Sequence, residues 1–352
     1  MSRSVVTTER FSVEDIVADV RTRGDAALAE WSARLDATTW SSPVRAQAYG
    51  DVPTAAILEA AHSVRTWHAA QRPADVILEV SAGVTLERRW SPLRSVGLYV
   101  PRGLVSSLIM TGVPAQVAGV ERIVVCTPPA GAAAVAATAA LLGIDEVWAL
   151  GGAQAIAAMA YGTESIPAVD KIFGPGGGAV NAAKLLVSRD VAIDLPAGPS
   201  EVVVVADEGV EQRLIDQELA AQMEHGPDSR AYVVRVGEDV DVALAQVEAY
   251  AAEHVALLGV LAESLAGRIR NAGAVFVGPY SPVPAGDYAT GGNHVLPTGG
   301  WARSTGGLGL EDYMKSVTVQ RVTKEGLERL APTIEALAEV EGMPMHKATA
   351  RR

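Results

Sequence analysis

From about Val120 the chain alternates short β-branched runs with alanine-rich stretches, and nothing else in it restricts the fold as strongly. ERIVVCTPP, DEVWALGG, DKIFGPGGG and VAIDLPAGPSEVVVVADE read as strands, and GAAAVAATAALLG, AQAIAAMAYG and AVNAAKLLVSRD read as helices. Parallel neighbours need a crossover connection, so this pattern predicts a parallel sheet with helices covering both faces. A second βα layer follows, from the helix EQRLIDQELAAQMEH through the strand AYVVRV and two helical stretches to the strand AGAVFVG. Upstream, apolar residues recur at three and four in VEDIVADVRTRGDAALAEWSARL and TAAILEAAHSVRTWHAA, which predicts helices across residues 12–72. A polar, proline-bearing segment then leads to the strand-like RSVGLYV, and TKEGLERLAPTIEALAEVEG reads as a closing helix.

A chain of 352 residues exceeds one ordinary core, which predicts about two or three domains with a cleft between them. A formal charge of -12 without a basic patch excludes nucleic acid and anionic membrane as partners, leaving a small molecule. Cys126 is the single cysteine, set in the apolar RIVVCTPP, so it forms no intramolecular disulfide and reads as a small core residue. The first residues lack the apolar core of a signal peptide, and the most apolar stretch, Gly131 to Gly152, is interrupted by Gly143, Asp145 and Glu146. A cytoplasmic protein without a membrane span is expected.

The loops LGGAQ and FGPGGG fall after strands, where backbone amides and helix N-termini can approach phosphate. Neither is a full G-x-G-x-x-G fingerprint, so a pyrophosphate seat and a plain tight turn both stay open. G-x-S-x-G, paired CxxC, H-E-x-x-H and Walker motifs are absent, which removes the common hydrolase, zinc-ribbon, metalloprotease and NTPase readings. Four of six histidines, His225, His254, His294 and His346, stand in polar contexts. Gln222 and His225, three apart at a helix end, share a face and can address one ion, or simply end the helix. Glu253 and His254 are an adjacent acid and base suited to proton transfer near neutral pH, or a solvated helix end. Asp287 and His294 sit in GDYATGGNHVLPT, where glycine and proline restrain the backbone; Asp287 is either functional or an Asx turn cap. Glu341 and His346 close the chain in EVEGMPMHK, and His62 and His68 read as partly buried or surface residues.

In this order VGLYVPRG, PAQVAGVERIVVCTPP, GGAQAIAAMAYGTESIPAVDKIFGPG, IDLPAGPSEVVVVADE, QMEHGPDS, AGAVFVGPYSP, GDYATGGNHVLPT and EVEGMPMHK resemble the histidinol dehydrogenase family almost end to end. QMEHGPDS and GDYATGGNHVLPT are the most specific. The resemblance implies an α/β fold of two Rossmann-like αβ domains with parallel sheets, a helical N-terminal region and a small C-terminal helical segment. Residues 1–98 and 202–308 would form one αβ domain, 99–201 the dinucleotide-binding domain and 309–352 a dimerisation segment of an intertwined homodimer. It further implies zinc-dependent, NAD-linked oxidation of L-histidinol to L-histidine through L-histidinal, a step of histidine biosynthesis. Carried over by motif, Gln222, His225 and Asp287, with His346 of the partner subunit, would hold Zn2+. His254 would be the general base and Glu253 would activate water. Ser200, His294 and Glu341 would contact substrate, and Tyr99, Gln154 and Gly177 would contact NAD.

The zinc and proton-transfer positions are all intact, and the departures fall on other residues. Arg102 replaces the first of two glycines, Gly174–Gly177 replaces GPGN and so removes an asparagine, AEH replaces PEH, and the stretch from Ser229 to Glu253 lacks about one helix and one strand. These changes admit a paralogue acting on another small polar amino alcohol or polyol, an Arg102 that meets the 2′-phosphate of NADP, or a non-catalytic zinc-binding homologue.

Overall fold

The computed structural model describes residues 11–39, 52–195, 198–237 and 239–351. In chain order its elements are α1 (Val13–Arg23), α2 (Asp25–Leu35), α3 (Thr54–Ala69), β1 (Val76–Ser81), β2 (Val84–Pro92), β3 (Ser95–Tyr99), α4 (Val105–Ala118), β4 (Arg122–Thr127), α5 (Ala132–Leu142), β5 (Glu146–Ala149), α6 (Gly152–Tyr161), β6 (Lys171–Phe173), α7 (Gly178–Val187) and β7 (Ala192–Ile193). There follow β8 (Glu201–Asp207), α8 (Gln212–Met223), β9 (Arg230–Val236), α9 (Val240–Tyr250), β10 (His254–Leu258), α10 (Val260–Glu263), β11 (Ala274–Val277), α11 (Val283–Tyr288), β12 (Met314–Val322), α12 (Lys324–Val340) and α13 (Pro344–Thr349).

Two compact units result. Residues 1–71 and 93–313 form the first, and residues 72–92 and 314–352 the second. The first holds two sheets with the orders β5-β4-β3-β6-β7 and β11-β10-β8-β9, every pairing parallel. This is the α/β architecture expected from the strand and helix alternation. Because helices cover both faces, the central strands are apolar without alternation: Val202 to Ala206 are all fully buried. Cys126 is likewise fully buried in β4, and burial pushes its thiol well above the ordinary range.

The second unit carries an antiparallel sheet, β1-β2-β12, that the sequence pattern did not announce. All six residues of β1 are exposed, so its apolar run marks no buried face to be recognised by period. Two further expectations need correction. His254 opens a strand rather than ending a helix, because HVALL is a short continuous apolar run that periodicity alone cannot assign. His68 is fully buried, with its Nδ1 2.8 Å from the Val64 carbonyl and its Nε2 3.3 Å from the Asn293 amide.

A buried ion pair fixes one edge of the first sheet. Lys184 on α7 and Asp194 after β7 are almost fully enclosed; the ammonium also donates to the Gly174 carbonyl at 2.9 Å, and Asp194 accepts the Gly174 N–H at 2.7 Å. Gly174 has φ +114, and a Cβ there would lie 2.0 Å from the Tyr99 carbonyl, so only glycine fits. Lys184→Met is therefore expected to leave Asp194 as an uncompensated buried charge. Urea unfolding should show a loss of about 3–5 kcal/mol.

Candidate active site

In the second sheet the candidate groups gather at the amino edge of the strands, opposite to the edge where α/β sheets usually bind ligands. The course of α8 explains this. It follows the carboxyl end of β8 and returns over the sheet, so that after it Arg230 N–H can bond the Ser200 carbonyl at 2.9 Å, at the start of β8. Gln222 and His225, at the end of α8, thus arrive where β8 and β10 begin. Strand period then selects the face. Val202, Val204, Ala206, Ala256 and Leu258 pack with Ile215 of α8 and Val283 of α11, while Val203, Val205, Val255 and Leu257 pack in a separate core. His254 pairs in register with Val202 and shares the face of α8 and α11.

His254 is 2% exposed, and neither ring nitrogen has a hydrogen-bond partner. Its Nδ1 lies 3.6 Å from Glu253 Oε2 and its Nε2 lies 3.9 Å from Asp287 Oδ1. Glu253 is held by the Ser200 hydroxyl and by the Glu201 N–H at 2.9 Å, both donating to Oε2. A cavity of about 380 Å³ opens beside them, lined by His254, Phe276, Asp287, Asn293 and His294. Two carbonyls determine imidazole tautomers at its edge. His294 Nδ1–H donates to the Asp287 carbonyl at 3.1 Å and His225 Nδ1–H to the Gln222 carbonyl at 3.2 Å, which leaves the lone pair of each ring on Nε2.

Burial dominates the electrostatics. It pushes Glu253 up to about 7; the Ser200 and Glu201 hydrogen bonds oppose the rise, and the charge of Asp287 adds to it. It drives His254 and His294 down to about 4, because an imidazolium there would be desolvated and would face His225. Asp287 is raised by burial, with His225 opposing. Near neutral pH the site therefore presents two uncharged imidazoles and a carboxyl poised to ionise.

The donor set suits a zinc ion. Gln222 is 2% exposed, yet both atoms of its amide lack a partner, as a coordinating carbonyl oxygen would before its ion arrives. The Nε2 lone pair of His225 and the Asp287 carboxylate complete a mixed N and O set. Among the described residues no three His, Cys, Asp or Glu side chains gather in metal-binding geometry. Glu341 and His346 belong to the second unit, where Glu341 caps α12 and exposed His346 lies in α13.

At the first sheet the groups sit at the carboxyl edge. The chain runs from β3 outward through β4 and β5, then returns to place β6 on the other side of β3, so strand order reverses there. Tyr99 ends β3, and its hydroxyl accepts the Gly152 N–H at 3.2 Å, at the start of α6. Gln154 is fully buried; its Nε2 donates to Asp36 Oδ2 at 3.2 Å and its Oε1 is unpartnered. Gly177 caps α7 with open space around it. The charge of Arg102 acts on Asp36. Sequence reasoning missed Asp36, which follows α2 with no motif around it. It also missed Glu201, whose carboxylate accepts the Gly299 N–H at 2.8 Å and ties the residue that follows GDYATGGNHVLPT to β8.

Two parallel α/β sheets, one with glycine turns at its carboxyl edge and one with a buried carboxyl and imidazole cluster at its amino edge, define an α/β protein with two candidate ligand-binding edges. The acetylating aldehyde dehydrogenase of Geobacillus thermoglucosidasius shares the fold alone, at TM-score 0.50 and 13% identity over 90% of this chain and 93% of that one. The likeness to histidinol dehydrogenases is far stronger. The crystal structure of histidinol dehydrogenase from Elizabethkingia anophelis superposes at TM-score 0.89 with 34% identity, covering 96% of this chain and 90% of that one. Histidinol dehydrogenase of Pectobacterium atrosepticum is 40% identical over 385 residues, covering 95% of this chain and 87% of the relative. That of Escherichia coli K12 is 39% identical over 386, covering 96% and 89%. The histidinol dehydrogenase family model matches residues 2–240 and 232–352, and the chain belongs to that family. The two matched segments meet within the stretch read as shortened, where α9 is the one described helix between β9 and β10. No described helix is long and apolar enough to cross a membrane.

Proposed function

We propose that the chain is a zinc-dependent, NAD-linked dehydrogenase that oxidises L-histidinol to L-histidine through L-histidinal, working in the cytoplasm as a homodimer. The carrying observation is the buried, unpartnered and neutral His254 between the carboxyl groups of Glu253 and Asp287. Gln222, His225 and Asp287 hold the zinc ion, with His346 of the partner subunit as fourth ligand, and residues 309–352 form the dimerisation segment. Tyr99, Gln154 and the Gly177 loop, within residues 99–201, receive NAD. When bound, zinc supplies a positive charge that acidifies the substrate hydroxyl, and NAD supplies the hydride acceptor.

The chain's own residues carry the proton steps. His254, neutral above about pH 4, takes the proton of the alcohol. The imidazolium so formed is stabilised by Glu253 and Asp287, each within 4 Å of one ring nitrogen. Glu253, oriented by Ser200 and the Glu201 amide, then takes a proton from the water that adds to the aldehyde carbon. His294 keeps an Nε2 lone pair for the substrate, and Glu341 supplies a carboxylate for its ammonium group.

Purified protein given zinc, NAD and L-histidinol is expected to form two NADH per histidinol consumed. Absence of turnover with histidinol at full zinc occupancy overturns the substrate assignment. Absence with every amino alcohol and polyol of a panel overturns the enzymatic reading.

A further inference from the structure

The buried stripe of α8 consists of Ile215, Glu218 and Gln222, spaced by three and four so that all three share one face. An acidic residue in such a stripe is out of place unless something answers it, since an unpaired carboxyl in an apolar layer is costly. Glu218 is 8% exposed, and its Oε2 accepts the Val283 N–H at 3.1 Å. Val283 is the first residue of α11, and Asp287 stands four residues further along that helix. Glu218 and Val283 thus each stand four residues before a candidate ligand, Gln222 on α8 and Asp287 on α11.

Packing alone does not set the register of these helices. Val283 enters the same core as Ile215, but apolar contact is non-directional, and the His294 ring on the Asp287 carbonyl holds α11 from its far end, not against α8. Next to this contact the two segments part around a cavity of about 310 Å³, lined by Leu214, Gln217, Glu218, Ala221, Pro279 and Pro282. The hydrogen bond is the directional tie across that gap.

We infer that Glu218 is a positioning residue for the metal site: by holding the Val283 N–H it sets the rotation of α11 and brings the Asp287 carboxylate into register with the Gln222 amide. This rests on the zinc reading above. Glu218 touches neither ion nor substrate; it acts through the backbone of the element that carries one ligand.

Three variants of the full-length protein test it. Glu218→Leu removes the acceptor. Glu218→Gln keeps an acceptor oxygen without the charge. Val283→Pro removes the donor at the first helical position, where proline is well tolerated and where Pro282, at φ -66 and ψ 149, already has the backbone that a following proline requires. Zinc affinity is measured by competition with a chromogenic chelator, and ligand geometry by the visible absorption of the cobalt(II)-loaded protein. Glu218→Leu and Val283→Pro should each weaken zinc by about 10–100-fold and change the cobalt spectrum, and the double variant should be no weaker than either. Glu218→Gln should stay near wild type by both readouts. Tight zinc and an unchanged spectrum in folded Glu218→Leu overturn the inference, as does a Glu218→Gln as impaired as the leucine variant. If Glu218→Leu does not fold, Val283→Pro against Glu218→Gln decides in the same way. A wild-type protein that takes up no zinc or cobalt overturns the metal reading itself and this inference with it.

Discussion

His254→Asn is expected to lower kcat by about 10²–10⁴-fold while zinc content stays at the wild-type level. His254 is placed to accept a proton: it is 2% exposed, neither ring nitrogen is committed to a hydrogen bond, and burial pushes it down to about 4. Asparagine keeps the polarity and approximate size of the ring without a basic nitrogen. Its nearest acidic neighbours, Glu253 at 3.6 Å and Asp287 at 3.9 Å, lose a weak contact rather than a hydrogen bond, so the fold should melt close to wild type. Steady-state kinetics with metal analysis of the same samples checks both halves. Zinc lost together with turnover would reassign His254 as a ligand.

Glu253→Gln is expected to part stability from function. In the folded protein Glu253 titrates near 7, against 4.5 for a free carboxyl, so between these values the folded chain keeps a proton that the unfolded chain has released. Stability must then fall as pH rises through that window, by about 3 kcal/mol once the group is fully ionised. Glutamine cannot ionise and can still accept from Ser200 and the Glu201 N–H. Metal-free wild type and variant should therefore melt together near pH 4, below both values, while near pH 8.5 the variant melts several degrees higher. A difference that does not change with pH would refute the raised carboxyl. In turnover the same variant should release about one NADH per histidinol and accumulate aldehyde, because the water step loses its base; two NADH at the wild-type rate would remove Glu253 from that step.

These two residues illustrate how far local pattern reaches. Glu253 and His254 were recognisable as an acid and base side by side, yet the surrounding HVALL read as part of a helical stretch. Only the pairing of β10 between β8 and β11 shows His254 at a sheet edge, on the face of α8 and α11. Ser200, expected at the substrate, donates its hydroxyl to Glu253. Asp36, Glu218 and the Lys184–Asp194 pair left no trace in the sequence, since each meets its partner 10 to 118 positions away.

What the sequence by itself determined is the α/β class and the family, because strand and helix alternation and the motifs QMEHGPDS and GDYATGGNHVLPT are local and survive reading in one dimension. The tertiary structure decided at which edge of each sheet the candidate residues gather. Glycine turns lie at the carboxyl edge of the first sheet, as the general rule for such sheets predicts. In the second, α8 returns over the strands and delivers Gln222 and His225 to the amino edge, beside Glu253 and His254. The polarity of a site is a property of strand order and helix direction, and a string of residues carries neither.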